Sequence, residues 1–283
     1  MTKENNKDIT IVINSCDSYS DVWPLFLSAF GEYWSGCEYP IIINTEFIKD
    51  NLKVIDKNID IHNVNNIDDA WGSRLLQTLN SISSEYVLLL FDDYILESEV
   101  DDEAIKKIIS FLDDNKDAAV YYLNSVCNQT HKDEPNLPYR VLKNYVDYRL
   151  NSAPAIWRRR DLIALTGEGD NPWAWEVFGS YRTYTYKKTF YSVPSISRNL
   201  FPYDYRKGGA IYRGKWVEDV VVPKIEKYQL NIDITTRGAT SKIVPEKRTL
   251  MWKINFLLLG YKMVGFKSLF FVFNAIRSKV YGR

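Results

Sequence analysis

"YVLLLFDDYIL", residues Tyr86 to Leu96, is the stretch on which the reading of this chain turns. Five apolar residues, Val87 to Phe91, run into two adjacent carboxylates, Asp92 and Asp93, and apolar character resumes at Tyr94. A short unbroken apolar run with polar ends reads as a strand covered on both faces. The acidic pair has two readings. It is a turn, because aspartate readily bonds its own backbone. Or it is a metal–diphosphate site, because Mg²⁺ or Mn²⁺ takes one or two carboxylates together with phosphate oxygens and water.

Working outward, strands alternate with helices. "DITIVIN" (8–14) is a β-branched strand, followed by the polar loop "NSCDSYSD". Val22, Trp23, Phe26, Phe30 and Tyr33 then recur at helical spacing, with Ser20 or Asp21 as the cap. "YPIIINTE" and part of "VIDKNIDIHNV" read as strands, and "DDAWGSRLLQTLNSIS" as a helix with Leu75, Leu76, Leu79 and Ile82 on one face. Beyond the opening stretch, "SEVDDEAIKKIISFLDDN" is a helix whose acidic first turn suits its dipole. "AAVYYLNSV" is a strand, "SAPAIWRRRDLIAL" a strand entering a helix at Arg159, "TGEGDNPWAWE" a loop opening a helix near Trp173, and "KTFYSV" a strand. "RKGGAIYRGKW" reads as a mobile loop, and Arg158 to Arg160 as a solvated helix start. This alternation predicts an α/β fold, a mostly parallel central sheet with helices on both faces. Ligands of such sheets bind beyond the carboxyl ends of the strands. Both "NSCDSYSD" and Asp92-Asp93 lie at such ends.

Composition narrows the partners. With 36 basic and 36 acidic side chains the formal charge is zero, so no nucleic-acid partner is expected. Three scattered cysteines and two histidines build neither a disulfide framework nor a zinc site, and Cys16 is read as packing. The polar start "MTKENNKDIT" has no apolar core of a signal peptide, which suggests a reducing cytoplasm. The 41 aromatics made up of 20 Tyr, 13 Phe and 8 Trp suit stacking on sugar rings as well as cores. The chain divides into residues 1–240 and a tail, 241–283. After Glu246 no acidic residue occurs, while Lys247, Arg248, Lys253, Lys262, Lys267, Arg277, Lys279 and Arg283 surround "INFLLLGY" and "SLFFVFNAI". Neither run approaches the ~20 residues of a membrane span. The tail reads as amphipathic helices lying on an anionic membrane surface, with helices packed on the main domain as the alternative.

Taken in order, "NSCDSYSDVWPLF", "AWGSRLLQTLNSISSEYVLLLFDDYIL", "SAPAIWRRRDL", "NPWAWEVFGS" and "IYRGKW" resemble a GT-A glycosyltransferase, of the bacterial kind that assembles capsule, O-antigen or exopolysaccharide. The resemblance covers roughly residues 8 to 217 and implies a GT-A fold and a nucleotide-sugar donor, with UDP as the expected nucleotide. It implies that Ser15, Asp17 and Tyr19 line the nucleotide pocket, with Tyr19 stacking on the base. The family's D-x-D is here Phe-Asp-Asp, which assigns Asp93 to Mn²⁺ or Mg²⁺ and Asp92 to ribose or a metal-bound water. Glu176 becomes the general base of an inverting displacement, with Trp173 and Trp175 raising its pKa and stacking on the acceptor. Arg213 and Lys215 close over the diphosphate, and Arg74 is a further donor contact. The tail points to a lipid-linked saccharide acceptor at the cytoplasmic face of the membrane. Three other readings compete. A nucleotidyltransferase needs a Gly-rich basic first loop, which is missing here. A glycoside hydrolase uses paired carboxylates too. The last is an inactive sugar-binding scaffold.

Overall fold

Residue Asn14 ends a six-residue strand, β1 (Ile9–Asn14), in which every side chain is buried. The structure is a computed structural model and describes residues 9–46, 59–63, 70–126, 137–194, 199–203, 209–241 and 248–280. Cys127, His131, Lys207, Gly208, Lys247 and Arg283 lie outside these. The remaining elements follow as α1 (Trp23–Tyr33), β2 (Ile41–Thr45), β3 (Ile59–Asn63), α2 (Trp71–Ser81), β4 (Tyr86–Phe91), α3 (Asp102–Asp114) and β5 (Ala118–Tyr122). Then come β6 (Arg140–Val141), β7 (Ala155–Arg158), α4 (Arg159–Leu165), α5 (Pro172–Val177) and β8 (Thr189–Ser192). The chain ends with β9 (Ile211–Tyr212), β10 (Lys215–Val217), α6 (Glu218–Lys227), β11 (Ala239–Thr240), α7 (Leu250–Val264) and α8 (Leu269–Val280).

Among the described residues an eight-stranded sheet runs in the order β3-β2-β1-β4-β7-β5-β8-β6. β1 lies parallel to both neighbours, with Ile11 opposite Ile41 and Leu88, and Asn14 opposite Phe91. β7 and β6 run against the rest. Side chains alternate across the sheet, so its two faces build two cores. Ile9, Ile11, Ile13, Leu88 and Leu90 pack with Phe26 and Phe30 of α1 and Ile105 and Leu112 of α3. Val12, Val87 and Leu89 pack on the other face with Leu75 and Leu79 of α2 and Leu162 of α4. The α/β expectation therefore holds, with helices on both faces. Because β1 and β4 are parallel neighbours in register, the loop after Asn14 and the Asp92-Asp93 turn leave the sheet side by side.

Four local expectations are corrected. No side chain caps α1; its N-cap is Val22, and Asp21 instead pairs with Arg237, whose Nε lies 3.0 Å away. The arginine run is not solvated as a unit. Arg158 is 1% exposed and donates to Leu112 O at 2.6 Å, Ala118 O at 3.3 Å and the Glu85 carboxylate, while only Arg160 projects into solvent. "AIYRGKW" is a β-hairpin, β9–β10, turned at Arg213 (φ 51°) and Gly214 (φ 78°), two consecutive left-handed residues that match the twist of a tight hairpin. Finally, Leu250–Asn274 forms a helical stretch of 25 residues that by length and composition alone suffices to cross a membrane, longer than either apolar run read separately. Its inner side is occupied by protein: the Phe256 ring lies 4.8 Å from Phe178 and 5.1 Å from Trp173.

One contact ties α2 to the segment before α5. Gly72 N donates to Asp170 O and Ser73 N to Glu168 O, both at 3.0 Å. A Cβ on Gly72 would lie 1.9 Å from Gly167 O, and that loop is braced by Arg182 donating to Asp170 at 2.8 Å. Gly72→Ala is therefore expected to cost about 1–3 kcal/mol by overpacking. Urea unfolding would show a lower midpoint with an unchanged m-value.

Candidate active site

A cavity of about 350 Å³ opens at the carboxyl ends of β1 and β4. Its lining comes from four places: Asn14, Ser15, Cys16 and Tyr19 at and after the end of β1; Phe91, Asp92 and Asp93 at and after the end of β4; Trp71 and Arg74 of α2; and Pro172 at the start of α5. Of the residues singled out in the sequence, Ser15, Tyr19, Arg74, Asp92 and Asp93 thus share one cavity, and so does Cys16, which is not mere packing.

The two aspartates differ in how they are held. Asp92 is buried, and its Oδ2 accepts from Ser15 Oγ. Ser15 Oγ in turn accepts from Trp23 Nε1 at 2.7 Å. Burial pushes the Asp92 carboxyl up to about 7 against the pull of those hydrogen bonds. Asp93 is fixed through its backbone: Ala210 N donates to its carbonyl at 2.8 Å. Burial, and next the charge of Asp92, hold its carboxyl well above the usual range. Gly209 (φ +88°) lies over this turn, where a Cβ would come within 2.8 Å of both the carbonyl and Oδ2 of Asp93. The β9–β10 hairpin therefore begins directly against the aspartate. Two neighbouring carboxyls that both resist ionising are the donor set a divalent cation relieves, and one or two carboxylates completed by phosphate oxygens suit Mn²⁺ or Mg²⁺. Among the described residues no three Asp, Glu, His or Cys side chains gather into a cage.

The loop after β1 is pinned from the side. Asp17 accepts from Thr45 Oγ1 at 2.8 Å, its N–H donates to Glu46 at 2.6 Å, and Glu46 pairs with Arg74 at 2.9 Å. Asp17 thus braces the loop from outside the cavity lining. Arg237 crosses from the segment before β11, donates to Ser18 O at 2.6 Å and stacks 4.6 Å over the Tyr19 ring. Its sequence position, far from every motif, offered no signal. Two further buried donors belong to cavity-lining residues and find no acceptor among the described residues: Asn14 Nδ2 and Trp71 Nε1. An unmade buried hydrogen bond costs about 1–3 kcal/mol, which an oxygen-bearing ligand would recover.

Glu176 lies on α5 four residues after Pro172, on the same side of the helix one turn on, and does not itself line the cavity. Its Oε1 accepts from Ser152 N at 2.7 Å and from Ser152 Oγ. Tyr94, next to Asp93, bonds Ser152 at 3.2 Å, so Asp93, Tyr94, Ser152 and Glu176 form one connected row. Burial raises the Glu176 carboxyl, with the two Ser152 bonds opposing it. Neither Trp173 nor Trp175 lines the cavity. Trp175 is fully buried against Trp71 and Trp157, and its Nε1 donates to Leu165 O at 3.2 Å. Trp173 is turned to the tail, 4.9 Å from Trp252 and beneath Arg248. Tyr148 was missed: it is 45% exposed, sits at φ 56°, and its phenol is raised by burial and then by the charge of Glu176. A non-glycine residue in the left-handed region costs about 1–2 kcal/mol and clusters at functional sites. Arg213 and Lys215 are exposed on the hairpin, with Arg213 stacked 5.3 Å from the Tyr212 ring; neither lines the cavity.

No family model and no curated protein matches the sequence. Among solved structures, the chain is similar to S. aureus TarS 1–349 (TM-score 0.42, 13% identity, 66% of this chain and 60% of that one). It is also similar to a galactosyltransferase, LgtC, in complex with donor and acceptor sugar analogues (TM-score 0.36, 13% identity, 55% and 59%). A cytidylyltransferase from Leptospira borgpetersenii is a further neighbour (TM-score 0.43, 11% identity, 84% and 99%). The chain spans about 60% of the length of the TarS structure.

Proposed function

We propose that this protein is a GT-A glycosyltransferase that moves a sugar from a nucleotide-sugar donor, with UDP as the nucleotide, to a saccharide hydroxyl in the assembly of a bacterial surface polysaccharide. The observation that carries the reading is the cavity at the ends of β1 and β4, where unpaired donors on Asn14 and Trp71 and the Asp92-Asp93 pair border one volume. Neutral donors suit the oxygens of a base and ribose, and Tyr19 offers a ring for the base. Asp93 would hold Mn²⁺ or Mg²⁺, which when bound supplies positive charge to the donor diphosphate. Asp92, already engaged by Ser15, sets the turn rather than taking the ribose. Arg74 lines the cavity and Arg237 stacks on the Tyr19 ring at its wall, whereas Arg213 and Lys215 do not line it.

Glu176 is the general base. It takes the proton of the acceptor hydroxyl as the acceptor oxygen bonds the anomeric carbon, and the bond from that carbon to the nucleotide diphosphate breaks on the opposite face. The product is inverted. Tyr148, exposed beside Glu176, provides the acceptor-stacking ring expected of the tryptophans. Tyr148→Ala is expected to raise the acceptor KM about fivefold, in line with ~1 kcal/mol of stacking, with the donor KM unchanged. An equal change in both would remove Tyr148 from the acceptor site.

A panel of nucleotide sugars tests the reading, each with and without Mn²⁺, read by thermal unfolding. A ligand at a hundred times its Kd adds about 2.7 kcal/mol to the folded state. UDP-sugars are expected to shift the transition, more so with Mn²⁺, and UDP release is expected to depend on added acceptor. A shift confined to nucleoside triphosphates would favour nucleotidyl transfer and overturn the proposal. Oligosaccharide cleavage without nucleotide would do so in favour of a hydrolase.

A further inference from the structure

We propose that α7 and α8 dock this protein on an anionic lipid bilayer, with their outward faces seated at the boundary between headgroups and acyl chains. A helix on a protein surface ordinarily keeps one apolar stripe for the core and turns charge to solvent. α7 is apolar on two opposite faces. Phe256 and Gly260 are buried inward, and Gly260 meets the Phe178 ring so closely that a Cβ would lie 2.4 Å from it. Leu250, Ile254, Leu258 and Tyr261, spaced at three and four residues, form the other face, and all are exposed, Leu250 by 74%. α8 repeats the pattern with Leu269, Phe273 and Ile276 outward and Phe271 inward. Phe256 and Phe271 both contact Phe178, at 4.8 Å and 5.6 Å, so the inward sides of the two helices converge on one ring and their exposed stripes are turned away from it. Phe266, in the 3-10 turn between them, is 77% exposed.

Charge selects the occupant. Lys253 and Lys262 are exposed beside the apolar stripe, and no acidic residue occurs after Glu246. An apolar stripe flanked by Lys253 and Lys262, on a tail that carries no acid of its own, fits an anionic membrane surface. A second copy would set like charges against each other. Crossing the bilayer would require stripping the inner face of α7 from Phe178 and Trp173. The inward side of the same helix reaches the edge of the cavity: Pro172 lines it, and the next residue, Trp173, stacks on Trp252 and Phe256 of α7. On the transferase reading this puts the acceptor side against the membrane, and the acceptor is a saccharide carried on a lipid, at the cytoplasmic face.

Flotation of the full chain with phosphatidylcholine vesicles, with and without phosphatidylglycerol, tests this. Binding is expected only with the anionic lipid and is expected to weaken as salt rises. The pair L258E/F273E is expected to lower the partition coefficient at least about tenfold, since each change withdraws a large apolar side chain from the bilayer. Both sites are exposed, so urea midpoint and the UDP-sugar thermal shift should stay those of the parent. Unchanged vesicle binding by L258E/F273E overturns the proposal, as does resistance of the bound protein to alkaline carbonate, which indicates a span. A parent dimer that L258E/F273E converts to monomer assigns the face to a second copy instead. Loss of vesicle binding with an intact UDP-sugar shift, or the reverse, separates this surface from the donor site.

Discussion

Glu176→Gln is expected to lower the turnover of sugar transfer by about 10²–10⁴-fold, leave donor binding unchanged, and raise resistance to heat at neutral pH. Glutamine keeps the shape and an acceptor oxygen for the Ser152 N–H, which bonds Glu176 at 2.7 Å. What it lacks is the ability to take a proton. The stability sign follows from burial, which raises the carboxyl above its unfolded value. A group whose folded pKa is raised contributes stability that is complete below the unfolded pKa and is lost as pH rises through the folded pKa. Above that range the parent carries an ionised, desolvated carboxylate and the variant does not. The variant's advantage should therefore grow from acid toward neutral pH. The acid limb of kcat/KM should sit above the ordinary carboxylate range in the parent and be absent from the variant's residual rate. An unchanged turnover would remove Glu176 from the chemistry. A stability difference that shrinks toward neutral pH would refute the burial account.

The order of elements was legible because it is local. β1, β4 and α3 carry unbroken periodicity with clear ends, and even the passage from strand to helix at Arg158 and Arg159 can be read from residue types. Strand direction is not local. β7 lies antiparallel between β4 and β5 because of pairings with residues 33 to 72 positions away, and nothing inside "AIWR" states them. The same separation hid the fate of its last residue: Arg158 is buried because Glu85, Leu112 and Ala118 converge on it. Within the site, residues that end strands or open helices beside the acidic pair were recoverable from position. Trp175 was misassigned because a tryptophan beside a candidate base looks alike whether it faces ligand or core. Only the packing of Trp71 and Trp157 tells which. Tyr148 and Arg237 sit in segments without periodicity, and it is tertiary contact that brings them to Glu176 and Tyr19. The Arg213–Gly214 turn escaped because arginine seldom adopts positive φ.

Asp93→Asn is expected to abolish the Mn²⁺-dependent part of the UDP-sugar thermal shift and to weaken Mn²⁺ binding at least about 10–100-fold, the loss found even for residues that only support a metal ligand. Without metal the same change should stabilise the fold. Burial and the charge of Asp92 both hold the Asp93 carboxyl well above its usual range, so at neutral pH folding without metal must either bury its charge or take up a proton, a cost that asparagine removes. The backbone of the turn is kept, because Ala210 N bonds the Asp93 carbonyl and not the side chain. The two effects have opposite signs and one cause: a carboxylate costly when bare is valuable when neutralised by a cation. Parent and variant melting curves should therefore cross as Mn²⁺ and UDP-sugar are added. Asp92→Asn serves as the contrast, since Asp92 is already occupied by Ser15 Oγ. It is expected to disturb the turn while retaining a Mn²⁺-dependent shift. If instead Asp92→Asn removes that shift and Asp93→Asn leaves it, the roles of the two aspartates are exchanged. If both variants keep it, the cation binds elsewhere, and the raised carboxyls at the end of β4 are a cost borne for the geometry of the turn alone.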